Sequence, residues 1–272
     1  KDKSDTTIYL LGSIHAADET AYPLPEKVTE AFNESEYLAV EVDIVKLTED
    51  FDAQISLAQK MMYSDGTTIK DHIGEELYNS MVEVLKEKSS YSTLYDSYKP
   101  AFFESLFENE IINDANMNSN DGIDMHFLNL AKENNKTILE VESADFQYNL
   151  LLSFPDELGK LNLQSYVDSY DESVEELSNL YEAWKKGDIV ELEKMLFEES
   201  DTEYTEEQQK LIEDYNNALI IDRNYNMAKV LETYFDEEKN VFCVVGLGHV
   251  IGEEGIVQLL EKQGYKVEKI SY

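Results

Sequence analysis

Cysteine, proline, glycine and positive charge are all scarce in this chain of 272 residues, and each shortage excludes something. The single Cys, Cys243, excludes an intramolecular disulfide and any Cys-x-x-Cys pair; within the run Val241-Phe242-Cys243-Val244-Val245 it reads as a small buried hydrophobe. Only 4 Pro and 11 Gly argue for long helices over many tight turns. With 22 Lys and Arg against 58 Asp and Glu, the formal net charge is −36. No basic face is left for a phosphate backbone, which must be neutralised by cations, so nucleic acid and anionic membrane surfaces are excluded as partners. No apolar run approaches the ~20 residues of a membrane span. The apolar content of 42% and aromatic content of 11% are nevertheless too high for a disordered acidic segment. A folded domain is expected, read here as one domain over residues 1–272.

Hydrophobic spacing gives the order of elements. Ile8-Tyr9-Leu10-Leu11 reads as a buried strand ended by Gly12. Residues 26–36 carry Val28, Ala31 and Phe32 at helical spacing, with Pro25 at the first turn. Tyr37-Leu38-Ala39-Val40 is a second strand, and the strand–helix–strand unit points to a parallel sheet. Helix-rich segments are expected at about 46–135 and 146–236, with a strand at 136–142 between them. Val241–Val245 is then a strand, 253–263 a helix, and 265–270 a closing strand. The expected class is α/β (or α+β): a central, mainly parallel sheet of short strands with a large helical insertion and flanking helices. A loose echo between the chain halves, with Gly12-Ser13-Ile14-His15 and Glu41-Val42-Asp43 answered by Glu140-Val141-Glu142 and Gly246-Leu247-Gly248-His249, suggests two halves facing across a cleft.

The same echo locates the chemistry. Two of the 4 His, His15 and His249, stand three residues after a Gly that ends an apolar strand; with 11 Gly in 272 residues this is on the order of a 1% coincidence. Glycine with positive φ would turn the chain at the carboxyl end of each strand, where open α/β sheets place their ligand crevice. Glu41 interrupts the apolar run Leu38-Ala39-Val40-Glu41-Val42, and a carboxylate buried there must be paired, protonated or bound to a cation. Two His and one Glu form a set suited to Zn²⁺, Mn²⁺ or Co²⁺, which would lower the pKa of a bound water toward ~7 and polarise a carbonyl. Glu41 is ligand or general base on this reading. The bland reading has each His satisfying a turn and Glu41 paired with Arg223. His-Glu-x-x-His, phosphate-loop and Gly-x-Ser-x-Gly patterns are absent.

The segments IYLLGSIH (8–15), LAVEVD (38–43) and VVGLGHVIGEEGIVQLLEKQG (244–264) resemble the TraB/GumN family, which includes the Tiki proteases. Gly122-Ile123-Asp124-Met125-His126-Phe127 resembles its central segment, and Arg223-Asn224 its Arg-Asn helix. The resemblance implies a metal-dependent hydrolase of peptides, with His15, Glu41 and His249 at the active centre and a divalent ion (Mn, Co or Zn) as cofactor. Arg223 is a further catalytic candidate, as oxyanion stabiliser or partner of Glu41. Supporting candidates are Asp43, Asp124, His126, Glu140, Glu142, Gly12 and Gly246, while His72 reads as surface. A non-catalytic peptide- or ligand-binding protein, like the pheromone-shutdown branch, and a haem or metal binder are the other readings. The net charge favours neutral or basic peptides as substrates. Relatives in Gram-positive bacteria are often tethered outside the cell. The polar opening Lys1-Asp2-Lys3-Ser4-Asp5 is then expected to be what remains of a lipoprotein leader, although one buried Cys suits a cytoplasmic copy equally.

Overall fold

The computed structural model describes residues 6–198 and 202–270; the polar opening at 1–5 lies outside them. Among the described residues four strands form one sheet: β1 (Ile8–Ser13), β2 (Tyr37–Val40), β3 (Thr137–Glu140) and β4 (Val241–Gly246). All pairings are parallel, in the order β1-β4-β2-β3. The architecture is α/β, with a small sheet and many flanking helices, as the spacing predicts.

Strand β4 lies inside the sheet with both faces covered, so its sequence is a continuous apolar run and all of its residues are buried. Alternation along it separates two cores. Phe242 and Val244 join Leu38, Val40, Phe32 and Phe127 on one face, under the helices Glu26–Glu34 and Ile123–Glu133. Val241, Cys243 and Val245 join Ala39, Met227, Leu231 and Ile256 on the other, under Asp222–Asp236 and Ile256–Lys262. A third core, with Met81, Leu85, Phe103, Phe107 and Leu163, is formed by the helices Glu75–Glu87, Pro100–Asp114 and Asp156–Asp168. Leu177, on the helix Tyr170–Lys186, packs against both this core and the first. No helix among the described residues is long and apolar enough to cross a membrane.

Three expectations are corrected. The closing strand at 265–270 does not form: Tyr265 and Val267 dock their side chains on the β4 core, and the Tyr265 N–H donates to the Leu260 carbonyl instead of joining a ladder. The two chain halves do not face each other across a cleft, because β4 inserts between β1 and β2 and both halves share one sheet. The last helix starts at Ile256 instead of 253, since Gly252 at φ +89° makes a turn closed by the Gly255 N–H on the Gly252 carbonyl. Strand β1 also runs through Gly12 to Ser13.

Candidate active site

Parallel strands end side by side at their carboxyl edge, and the segments leaving β1, β2, β3 and β4 bring polar side chains together there. Register sets Ser13 opposite Gly246 and Val40 opposite Val244, so the two Gly-x-x-His segments and Glu41 leave neighbouring strands at the same level. A Cβ placed on Gly246 would lie 3.2 Å from Glu41 Oε1, 3.4 Å from His15 Nε2 and 3.6 Å from His249 Cδ2. Glycine at 246 keeps this meeting point open. Neither motif glycine adopts the expected positive φ. Their role is close approach: a Cβ on Gly12 would meet Leu247 Cδ1 at 2.7 Å.

The two histidines sit in opposite environments. His15 has a side chain 71% exposed, and its Nδ1–H donates to Asp124 Oδ2 at 2.8 Å; Asp124 Oδ1 accepts from the Ser13 hydroxyl, also at 2.8 Å. The Asp124 hydrogen bond outweighs desolvation and raises the His15 pKa to about 9. His249, on the single turn Leu247–Val250, is 5% exposed. Its Nδ1–H donates to Asn224 Oδ1 at 2.7 Å, and the Asn224 amide donates to the Glu254 carbonyl at 2.8 Å, which turns the Asn224 oxygen toward the ring. Burial pushes His249 down to about 4. It is neutral at neutral pH, with the lone pair on Nε2.

Burial alone would raise the Glu41 carboxyl, but Arg223 and the Gly246 N–H favour the carboxylate, and the group stays below the usual carboxylate range. Oε1 accepts from the Gly246 N–H at 2.6 Å; Oε2 accepts from Arg223 Nη2 at 2.6 Å and Gln147 Nε2 at 3.0 Å. Arg223 also donates from Nε and Nη2 to Glu142 at 2.8 to 3.1 Å, and from Nη1 to the Leu219 carbonyl at 3.1 Å. That carbonyl belongs to a π-helical stretch, Asn217–Ile221, a rare geometry frequent near functional sites. Gln147 bridges Glu41 and Glu142 from the helix Ala144–Leu151.

Each imidazole therefore has Nδ1 fixed by an acceptor, the arrangement that orients metal-binding histidines through Nε2. Glu41, Glu142 and Asp124 face one guanidinium and one imidazolium, an excess of one negative charge that loss of the His15 proton raises to two. This donor chemistry suits a divalent cation. Among the described residues, however, no three His, Cys, Asp or Glu side chains are gathered closely enough to hold a metal ion.

Other candidates fall elsewhere. Asp43 touches neither histidine; its carboxylate caps the helix Ile44–Glu49 through the Lys46 N–H at 3.0 Å. Although Glu140 precedes Glu142 by only two residues, it turns to the Asp43 N–H at 2.9 Å, away from Arg223. His126 packs against Tyr22 in a tilted arrangement with ring centroids 4.7 Å apart, and edge-on to Phe127. His72 is half-buried rather than at the surface, with Nδ1 2.6 Å from Asp156 Oδ2 and the ring stacked on Tyr63 at 3.9 Å. The sequence reading omitted Ser13, Gln147 and Asn224 from the site. Ser13 and Asn224 carried a signal, a polar residue inside an apolar pattern, and are 3% and 1% exposed. Gln147 carried none.

The chain is 23% identical over 148 residues to the uncharacterized protein YbaP of Escherichia coli (strain K12), a match covering 54% of this chain and 53% of YbaP. YbaP of Shigella flexneri matches equally. The match thus spans about half the length of these relatives. A metalloprotease TIKI homolog of Nematostella vectensis is 34% identical over 64 residues, 23% of this chain and 14% of the homolog. No solved structure matches. The model of the TraB/PrgY/gumN family matches residues 1–269, and the chain belongs to that family.

Proposed function

We propose that this chain hydrolyses peptide bonds, with His15 and His249 holding a divalent cation (Mn²⁺, Co²⁺ or Zn²⁺) and Glu41 taking the proton of the attacking water. The observation that carries this reading is the convergence of Glu41 Oε1, His15 Nε2 and the His249 ring within 3.6 Å of one point above Gly246. The similarity to a protein named as a metalloprotease supports the reaction class. When bound, such a cation supplies Lewis-acid polarisation of a carbonyl and acidifies water. Oε1, the carboxylate atom nearest the meeting point, is the proton acceptor. Arg223 and Gln147 hold that carboxylate in place, while Asp124 and Asn224 fix the ring orientations of the two histidines.

The test is calorimetric titration of Mn²⁺, Co²⁺ and Zn²⁺ into the wild type and His15→Ala, followed by a peptide-cleavage screen with and without chelator. Stoichiometric binding lost in the variant, with chelator-sensitive cleavage lost in Glu41→Gln, is the expected result. Saturable peptide binding that survives chelation, with no cleavage under any metal, replaces the hydrolase with a binding protein.

A further inference from the structure

Beside the site, on the β3 side of β2, lies a cleft of about 350 Å³ between the helices Phe51–Lys60 and Ala144–Leu151. Three stretches of chain link its wall to the centre. Val42 and Asp43 of its wall directly follow Glu41, Ser143 and Ala144 directly follow Glu142, and Tyr148 follows Gln147, which touches both carboxylates. The volume is at the small end of ligand pockets, the size of a side chain with its adjoining backbone.

Its chemistry is decided by how its charges are used. Lys46 pairs with Glu140 at 3.7 Å and Lys60 with Asp145 at 3.3 Å. Asp43 and Asp50 spend a carboxylate oxygen on the N–H groups of Lys46 and Ala53, each at 3.0 Å. A charged guest would have to displace these partners, whereas an uncharged one leaves them intact. What remains for contact is mainly apolar, Val42, Leu47, Ala53, Leu57, Ala144 and the Tyr148 ring, with the Ser56 hydroxyl as an uncharged polar group. We infer that this cleft is a specificity pocket that takes an uncharged aliphatic or aromatic side chain of a peptide beside the bond held at Glu41. The inference rests on the peptide reading above and adds to it the class of residue selected.

Two measurements test it. The first is the ratio of kcat/KM for matched peptides carrying Phe, Leu, Ala or Arg next to the cleaved bond. Wild type should prefer Phe or Leu over Ala at least tenfold; Ala53→Trp, which fills the cleft from a half-exposed helix position, should abolish that preference, and Leu57→Ala should shift it toward Phe. The second needs no turnover: titration of the cation-free protein with N-acetylphenylalaninamide, N-acetylleucinamide and N-acetylglycinamide, followed by NMR. The first two should bind saturably, the glycine compound at least tenfold more weakly, and Ala53→Trp should erase the difference. Cleavage with no side-chain preference, or with a preference for Arg, overturns the pocket and leaves the hydrolase standing. Discrimination among the amides by a protein that cleaves no peptide upholds the pocket and overturns the hydrolase.

Discussion

Replacing Gly246 with Ala separates the role of the meeting point from the stability of the fold. The backbone at 246, φ −50° and ψ 140°, is open to any L-residue, so the substitution carries no conformational penalty of the left-handed kind. The new methyl would sit 3.2 Å from Glu41 Oε1 and 3.4 Å from His15 Nε2, contacts relieved by side-chain shifts of a few tenths of an ångström. His15 is exposed, and its ring gives way at the expense of the Asp124 hydrogen bond. The expected cost is about 1 kcal/mol, the low end for overpacking, which for a chain of this size lowers Tm by roughly 2–4 °C. The methyl nevertheless occupies the space between the two histidines, and a cation at about 2.0–2.2 Å from an imidazole nitrogen needs that space. Affinity for Mn²⁺, Co²⁺ or Zn²⁺ should fall by about 100-fold or more, equivalent to about 2.7 kcal/mol. Urea denaturation and calorimetric titration of the same preparation measure both quantities. A folded Gly246→Ala protein with wild-type affinity would refute the assignment of the point, and a loss of stability beyond ~3 kcal/mol would refute the reasoning about space.

Three further outcomes follow from the same geometry. Arg223→Met leaves Glu41 and Glu142 buried without their cation and should destabilise by about 3–5 kcal/mol in denaturant melts, well beyond Gly246→Ala. In Asp124→Asn the His15 pKa should fall from about 9 toward its ordinary value, read by NMR titration of the ring protons. In wild type the His15–Asp124 pair stabilises fully below pH ~6.5 and is lost as the pH rises through about 9, so Asp124→Asn should flatten stability across that window. Glu104 has the same sign from a different cause: burial raises its carboxyl to about 7 against the Asn162 hydrogen bond. The folded chain holds this proton more tightly than the unfolded one, so stability falls as the pH rises from ~4.5 to about 7; Glu104→Gln should therefore gain about 1–2 kcal/mol at pH 8 and nothing at pH 4.

Much of the framework was legible because it depends on short-range pattern. β4 announces itself as an unbroken apolar run because a strand covered on both faces admits nothing else, and β2 matches its predicted bounds, 37–40. The third core follows from helical spacing, which places Leu77, Met81 and Leu85 on one buried face. The 265–270 segment has strand-like alternation too, yet it docks by side chains alone, since alternation records which face is apolar and not whether a neighbouring edge offers a ladder.

The sequence by itself determined which residues were worth watching. Charge composition gave the expectation that no phosphate backbone binds, and a carboxylate within an apolar strand marked Glu41, because a charge in such a run needs a partner. The two Gly-x-x-His segments marked His15 and His249. Only the tertiary structure decided which partners those groups have. Strand order inserts β4 between β1 and β2, and that crossover, which no local pattern encodes, brings residues 15, 41, 223 and 249 together. It also separates near neighbours in sequence, sending Glu142 to Arg223 and Glu140 to the Asp43 backbone. Opposite proton affinities for two identical side chains, His15 above and His249 below the ordinary value, arise in the same way. Imidazole chemistry is fixed by the residue type, but its protonation is set by burial and by the acceptor that long-range packing supplies.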